Sequence, residues 1–167
     1  GTYVENIIWP ATNGIKLIGS GEEDCIIDGG NGGWAGTVVR FNGDIAGIID
    51  STTIINGFTL QNGVCEWEPD NGVYGGAGGV YLFTASPSFN NVTIRNNSSH
   101  GAGGIYCYSS SPSFNNMTIT NNSTWEDAGG AIYIINSNPI LRDVLISNNS
   151  NSNSGGGISC VNSNPIL

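Results

Sequence analysis

Residues 78–97 read GGVYLFTASPSFNNVTIRNN, and the chain repeats this pattern as GGIYCYSSSPSFNNMTITNN at 103–122 and as GGAIYIINSNPILRDVLISNN at 129–149. A fourth copy begins at 155–167 as GGGISCVNSNPIL. Self-similarity at a fixed period of this size is typical of solenoids, in which each copy forms one coil of a stack.

Each copy combines two short runs rich in β-branched and aromatic residues with a proline corner, an Asn-Asn turn and a Gly-Gly return. Intervals of 25, 27 and 26 residues separate the corner prolines, which are Pro87, Pro112, Pro139 and Pro165. No helical periodicity is present. Short strands on a period of about 26 residues, without helices for crossovers, favour coils whose strands pair in parallel with their copies. The sequence therefore predicts an all-β solenoid.

Alternation within the strands separates an interior face from an exterior face. In the first run of each copy, the residues expected to point inward are Val80, Leu82, Ile105, Cys107, Ile132, Ile134, Ile158 and Cys160. The second run adds the inward residues Phe89, Phe114, Leu141, Val92, Met117, Val144, Ile94, Ile119 and Ile146. We expect Asn96, Asn121 and Asn148 to stack at the turn, where amide side chains can bond along the ladder.

The first half of the chain follows the same pattern less regularly. FTLQNG at 58–63 matches VTIRNN at 92–97, TVVRF at 37–41 matches the Gly-Gly strand, and CIIDGG at 25–30 matches a strand next to the turn. We therefore predict one domain over 1–167, with irregular coils over 1–75, an insertion at 61–75 and regular repeats over 76–167. Six or seven coils would form a rod on the order of 30 Å long.

The composition narrows the classes of partner. Four Lys plus Arg stand against thirteen Asp plus Glu, which gives a formal net charge of −9. This charge repels nucleic-acid phosphates and anionic membrane surfaces, and no apolar run approaches the roughly 20 residues that span a bilayer. We expect neither nucleic-acid binding nor membrane insertion. Few lysines and many Asn, Ser, Thr and Gly favour an extracellular or cell-surface location.

Four cysteines are present without the C-x-x-C spacing of a zinc site. The alignment puts Cys107 and Cys160 at one position two coils apart, about 10 Å and beyond disulfide reach. For Cys25 and Cys65, the sequence does not decide between a disulfide and two free thiols.

GTYVENI, IKLIGSGEEDCIIDG, INGFTLQNG and the Gly-Gly, Pro and Asn-Asn repeats resemble bacterial right-handed parallel β-helix repeat proteins of the pectin-lyase-like superfamily. The resemblance covers essentially the whole chain and implies a right-handed parallel β-helix. That superfamily contains polysaccharide lyases and hydrolases beside non-catalytic surface proteins and adhesins.

The resemblance implies which residues an enzyme of this fold would need. A lyase would need carboxylates that bind Ca²⁺ and an Arg or Lys base, and a hydrolase would need two to three Asp. The basic side chains are Lys16, Arg40, Arg95 and Arg142, and the nearest candidate pair is Arg142 with Asp143. One carboxylate does not make a lyase site. We therefore expect a non-catalytic protein of the adhesin-like branch, with a carbohydrate-binding or polysaccharide-cleaving β-helix as the alternative.

Variable loops between the Asn turn and the Gly-Gly strand form one edge with candidate binding residues. The aromatic candidates for carbohydrate or partner binding are Trp34, Trp67, His100 and Trp125. The carboxylates that could hold a cation such as Ca²⁺ are Glu66, Glu68, Asp70, Glu126 and Asp127. Exposed tryptophans beside carboxylates suit stacking on sugar rings. Each Trp could instead fold back over its own loop.

Two further sets of residues are candidates. The outward aromatic row of Tyr81, Tyr106 and Tyr133 could bind glycans or a partner, or it could simply stack across strands. The N-x-S/T sequences predict glycosylation at Asn91, Asn97, Asn116 and Asn122, although stacked Asn, Ser and Thr also create them by chance.

The chain begins and ends inside a coil by the repeat register, which would leave unpaired strand edges. Such edges are templates for further pairing. We expect them to meet flanking parts of a longer chain or, through end-to-end stacking, other copies in a fibre. Together these expectations describe an extracellular structural or adhesive module.

Overall fold

The computed structural model describes residues 1–30, 36–43, 49–66, 76–125, 128–153 and 155–167. Among these residues, no helix is long and apolar enough to span a membrane. The described strands are β1 (Thr2–Val4), β2 (Ile7–Ile8), β3 (Lys16–Ile18), β4 (Ile26–Asp28), β5 (Val39–Asn42), β6 (Ile54–Gln61), β7 (Val64–Cys65), β8 (Val80–Phe83), β9 (Ser88–Arg95), β10 (Ser98–Ser99), β11 (Ile105–Tyr108), β12 (Ser113–Thr120), β13 (Ser123–Thr124), β14 (Ile132–Ile135), β15 (Ile140–Ser147), β16 (Ser150–Asn151) and β17 (Ile158–Val161).

The strands stack into three sheets. Sheet A has the order β1-β4-β6-β9-β12-β15, with β3 beside β6; sheet B has the order β2-β5-β8-β11-β14-β17; sheet C has the order β7-β10-β13-β16. Strand pairs in all three sheets are parallel. Each repeat contributes one strand to every sheet, an arrangement consistent with a β-solenoid. The expected all-β class is confirmed.

The strand register follows the alignment of the repeats. Val80 pairs with Ile105, Ile105 with Ile132, and Ile132 with Ile158. The irregular first half obeys the same register, because Val39 pairs with Val80.

The insertion predicted at 61–75 lies partly within the described residues. Gln61 is the last residue of β6, and Val64–Cys65 form β7. Residues 67–75 lie outside the described part of the chain.

An apolar core runs between the sheets. Phe41, Phe89 and Phe114 are fully buried, with ring centroids 6.1 Å and 5.6 Å apart along the stack. Trp9 extends this column and stacks on Phe41 at 4.7 Å. Burying one such side chain contributes about 2–3 kcal/mol, so the repeated column is a major source of stability.

Left-handed backbone conformations recur at three corner positions. Asn62, Asn96, Asn121 and Asn148 (φ 54–57°) follow the long strands of sheet A. Asn91, Asn116 and Asp143 (φ 50–54°) bend those strands in the middle, and Thr84, Ser109, Asn136 and Asn162 (φ 47–51°) follow the strands of sheet B. Asn and Asp tolerate this conformation far better than other non-glycine residues. The corners therefore explain much of the asparagine in the repeats.

Ser109 is an exposed corner residue with φ 47°, whereas the next two coils have Asn136 and Asn162 at the same position. We expect Ser109→Asn to raise the free energy of unfolding by about 0.5–1 kcal/mol, because Asn prefers the left-handed region. Urea unfolding followed by circular dichroism measures the change. Ser51→Asn, at an exposed turn residue outside the left-handed positions, should change little. A Ser109→Asn protein no more stable than the wild type would contradict the argument.

An internal amide ladder runs beside the corner, and it corrects the expectation for Asn96, Asn121 and Asn148. The second Asn of each pair forms the ladder: Asn97 Nδ2 donates to Asn122 Oδ1, and Asn122 Nδ2 donates to Asn149 Oδ1, both at 3.0 Å. The first Asn occupies the left-handed corner and is exposed. The bend at the corner directs the following side chain inward, where Asn97 and Asn122 are buried.

The four cysteines are free thiols. Cys107 pairs with Ile134 and Ile134 with Cys160, so the two thiols lie two strands apart, as predicted. Cys107 is fully buried, which raises the pKa of its thiol. Cys160, expected in the core, is exposed, since β17 is the last strand of sheet B in this structure.

Candidate functional site

The edge that follows sheet C aligns two of the predicted binding residues, His100 and Trp125, with one predicted cation ligand, Glu66. Glu66, His100 and Trp125 each come directly after a strand of sheet C, at the ends of β7, β10 and β13. Their backbones continue the ladder, because His100 N donates to Cys65 O and Trp125 N donates to Ser99 O, both at 3.3 Å. The three residues therefore form one column on consecutive coils, hereafter the edge column.

Hydroxyl groups of sheet C hold this edge in place. Ser99 Oγ lies 3.0 Å from the carbonyl oxygen of Gly76, in the loop of the preceding coil, and 2.8 Å from that of Ala102. Thr124 Oγ1 lies 3.0 Å from the carbonyls of both His100 and Gly101. These buried side chains tie the loop of one coil to the strand of the next, so the backbone below the edge column is fixed.

Trp125 and His100 are in direct contact. Their ring centroids are 5.2 Å apart and the planes meet at 61°, an edge-to-face arrangement. Trp125 keeps 43% of its surface exposed, and Glu66 is also exposed. Trp125 is therefore oriented by a neighbouring coil and still offers aromatic surface to solvent.

Several predicted site residues lie outside the described part of the chain: Trp34, Trp67, Glu68, Asp70, Glu126 and Asp127. Of the expected cation ligands, Glu66 is described. Within the described ranges, no cluster of three or more His, Cys, Asp or Glu side chains could hold a metal ion.

The tyrosine row differs from the expected open surface. Tyr81 and Tyr106 are 0% and 1% exposed, and they form a second apolar cluster with Ala77 and Ala102 on the outer side of sheet B. Their rings stack on each other at 5.4 Å and 14°. Tyr133 is partly buried and meets Tyr106 edge to face. Burial and mutual stacking leave no open aromatic face at Tyr81 and Tyr106, which favours the cross-strand stack over a glycan platform at these two rings.

The predicted glycosylation positions fall into two groups. Asn91 and Asn116 are exposed at left-handed corners, and Asn116 Nδ2 donates to Asn91 Oδ1 at 2.7 Å. Asn97 and Asn122 are 1% and 0% exposed and their amides are bonded within the ladder. These two amides are inaccessible in the folded protein, so their burial disfavours a glycan at Asn97 and Asn122, and glycosylation stays a prediction for the exposed Asn91 and Asn116.

A polar chain on the outer face of sheet A was missed from the sequence. Arg95 Nε donates to Gln61 Oε1 at 2.9 Å, and Gln61 Nε2 donates to Asp28 Oδ2 at 2.8 Å. Partial burial of Asp28 acts to raise its pKa, but hydrogen bonds from Gln61, Gly30 and Asn62 outweigh it and the pKa is lowered. The residues are far apart in sequence, and only the register of β4, β6 and β9 reveals them.

A cavity of about 290 Å³ near the first coil was also missed. Tyr3, Leu17, Cys25 and Phe58 are among its lining residues. The hydroxyl and the backbone N–H of Ser20, both 3.3 Å from Cys25 Sγ, lower the pKa of this thiol.

The nearest candidate for a catalytic pair in the sequence, Arg142 with Asp143, lies on β15, and both side chains are exposed.

Comparison with family models, curated proteins and solved structures found no match to this chain. The candidate site is therefore defined by its own geometry.

Proposed function

We propose that this chain is a non-catalytic structural and adhesive module, a rigid spacer or stalk that works outside the cell or at its surface. The observation that supports this proposal is that equivalent residues of successive repeats stack in columns. Aromatic and aliphatic columns fill the interior, and the amide ladder runs beside the corner. Such a stack resists bending, because the coils from β7 onward are bonded to their neighbours through three sheets.

The proposal includes the finer description of the fold. A right-handed parallel β-helix with about 26 residues per coil accounts for the register, in which Val80, Ile105, Ile132 and Ile158 are paired in turn. The catalytic and non-catalytic branches of the pectin-lyase-like superfamily share this architecture, and we propose that this chain belongs to the non-catalytic one.

The side chains of the described exterior support a structural role. Many polar groups on sheet A are engaged with one another: Asn115 Nδ2 donates to Asn90 Oδ1 at 3.0 Å, and Ser113 Oγ donates to Ser88 Oγ at 2.9 Å. A neighbouring series of amides continues through three strands, because Asn91 Nδ2 donates to Asn56 Oδ1 and Asn116 Nδ2 donates to Asn91 Oδ1, both at 2.7 Å. A surface of this kind is hydrated and stable, whereas acid–base catalysis needs groups that are free to exchange protons with a substrate.

Partners along the axis of the stack follow from the open strand edges. The terminal strands expose Ile8 at 78% and Leu145 at 59%. Among the described strands, β1 has no partner on one side in sheet A, and the outer side of β15 is bonded to Ile166 near Ile140 and Leu141. We propose that these edges pair with further coils, either of a flanking segment or of another copy stacked end to end. The net charge of −9 makes nucleic acid and anionic membranes poor partners.

Solution scattering and an activity assay test this proposal. We expect small-angle X-ray scattering to show an elongated particle whose cross-section is unchanged by salt, with filaments in electron micrographs where copies stack end to end. We expect no reducing or unsaturated sugar ends after incubation with neutral and acidic polysaccharides. Release of such ends, lost in the Arg142→Ala or Asp143→Ala protein, would replace the structural role by a catalytic one.

A further inference from the structure

We propose that the edge column of Glu66, His100 and Trp125 binds a short neutral oligosaccharide, with Trp125 as the stacking surface. This inference rests on the proposed adhesive function and names its ligand. It starts from exposure: among the described aromatic side chains, Tyr3 (54%) and Trp125 (43%) are the exposed ones. The other large rings are committed to the core or to the outer stack of sheet B.

Ring geometry separates Trp125 from the tyrosines. Phe83 and Tyr108 are partly exposed, but their planes are parallel within 6° at 5.1 Å, so each ring covers a face of the other. A sugar ring stacks on an aromatic face rather than on an edge, because its C–H groups meet the negative face of the π system. Trp125 contacts His100 edge to face, an arrangement that does not require both faces of the indole.

The site is also held in advance of binding. Trp125 N donates to Ser99 O, and Thr124 Oγ1 bonds to the loop of the preceding coil. His100 fixes the side of the indole that faces the neighbouring coil. A rigid aromatic group loses little conformational entropy when a ligand binds, so a single stacking contact can contribute to affinity.

The extent of the edge column indicates the size and charge of the ligand. Glu66 and Trp125 are two strand spacings apart, about 10 Å, which an oligosaccharide spans better than one sugar ring. The exposed Glu66 carboxylate accepts hydrogen bonds from sugar hydroxyls, and together with the net charge of −9 it disfavours acidic sugars.

The same dimensions argue against a protein partner at this edge. A stable protein interface buries on the order of 1,000 Å² or more around a desolvated core. Among the described residues of this edge, Trp125 is the one exposed indole. It provides far less apolar area than that, whereas it suffices for one sugar ring.

Saturation-transfer NMR and titration with cellotetraose, chitotetraose and mannotetraose test the inference, with an oligogalacturonate as the acidic counterpart. We expect at least one neutral ligand to bind more tightly than the acidic one, and Trp125→Ala to weaken that binding by about tenfold or more. Trp125→Phe should retain part of the affinity. Tyr3→Ala, which removes an equally exposed aromatic ring elsewhere, should bind like the wild type.

Two results would overturn the inference: a wild-type protein that binds none of the neutral ligands, or a Trp125→Ala protein that binds them unchanged. Scattering and circular dichroism on the same samples keep the two proposals separate. A folded, elongated protein without sugar binding would remove the ligand and leave the spacer role. A chain without the elongated fold would remove the structural proposal itself.

Discussion

Replacing Asn122 by Ala should lower the free energy of unfolding by about 3–5 kcal/mol, because the change leaves buried partners without bonds. The Asn122 amide donates to the carbonyl of Ile94 and to Asn149 Oδ1, both at 3.0 Å. Its Oδ1 accepts the backbone N–H of Asn97 at 3.1 Å and the Asn97 amide at 3.0 Å. Each buried group deprived of its partner costs about 1–3 kcal/mol.

Denaturant unfolding followed by circular dichroism measures this loss, and the adjacent residue provides a matched control. Asn121 is exposed at a left-handed corner with φ 55°. Glycine adopts that conformation without strain, so Asn121→Gly should change stability by only about 0.5 kcal/mol. If the free energy of unfolding of the Asn122→Ala protein were within about 1 kcal/mol of the wild-type value, the amide ladder would not be a principal support of the stack.

The position of this ladder shows what the sequence could and could not predict. The period places Asn97, Asn122 and Asn149 in one column, since equivalent residues of successive coils must stack. It does not say which Asn of each pair points inward. That choice depends on the left-handed backbone of Asn96 and Asn121, a conformation that several turn types share, so the prediction selected the wrong member.

The tyrosines illustrate a second limit. Alternation correctly directed Tyr81 and Tyr106 away from the main core, because neighbouring residues of a strand face opposite ways. Alternation carries no information about what covers the outer face. In the structure, Ala77 and Ala102 pack on these rings, so an outward side chain became a buried one.

The edge column was more predictable. Glu66, His100 and Trp125 each lie three residues after Gly63, Asn97 and Asn122, which share one position in the repeat. A constant offset from a stacked position keeps residues in one column. Sheet C itself was not foreseen, because strands of two residues such as Ser98–Ser99 are too short to show an alternating pattern.

Replacing Gly103 by Ala should cost about 3 kcal/mol of unfolding free energy, a loss expected from steric overlap with backbone atoms. A Cβ at Gly103 would lie 2.4 Å from Ser123 N and 2.6 Å from the carbonyl oxygens of Gly130 and Ser123. Backbone atoms of a bonded sheet cannot move aside as a flexible side chain can. The loop that returns to sheet B would have to separate from β13 of sheet C, loosening the junction below Trp125.

Gly157→Ala is the control, because Gly157 precedes β17, the last strand of sheet B in this structure, and no further coil among the described residues packs on it. An added Cβ there meets no atom within 4 Å, and the equivalent residue of the preceding coil is already Ala131. Reducing the freedom of the unfolded chain should make this variant as stable as the wild type or more stable by about 0.4–1 kcal/mol. Equal stability of Gly103→Ala and Gly157→Ala would show that the loop can yield. The expected difference would establish that Gly103 is required by the close approach of the returning loop to sheet C.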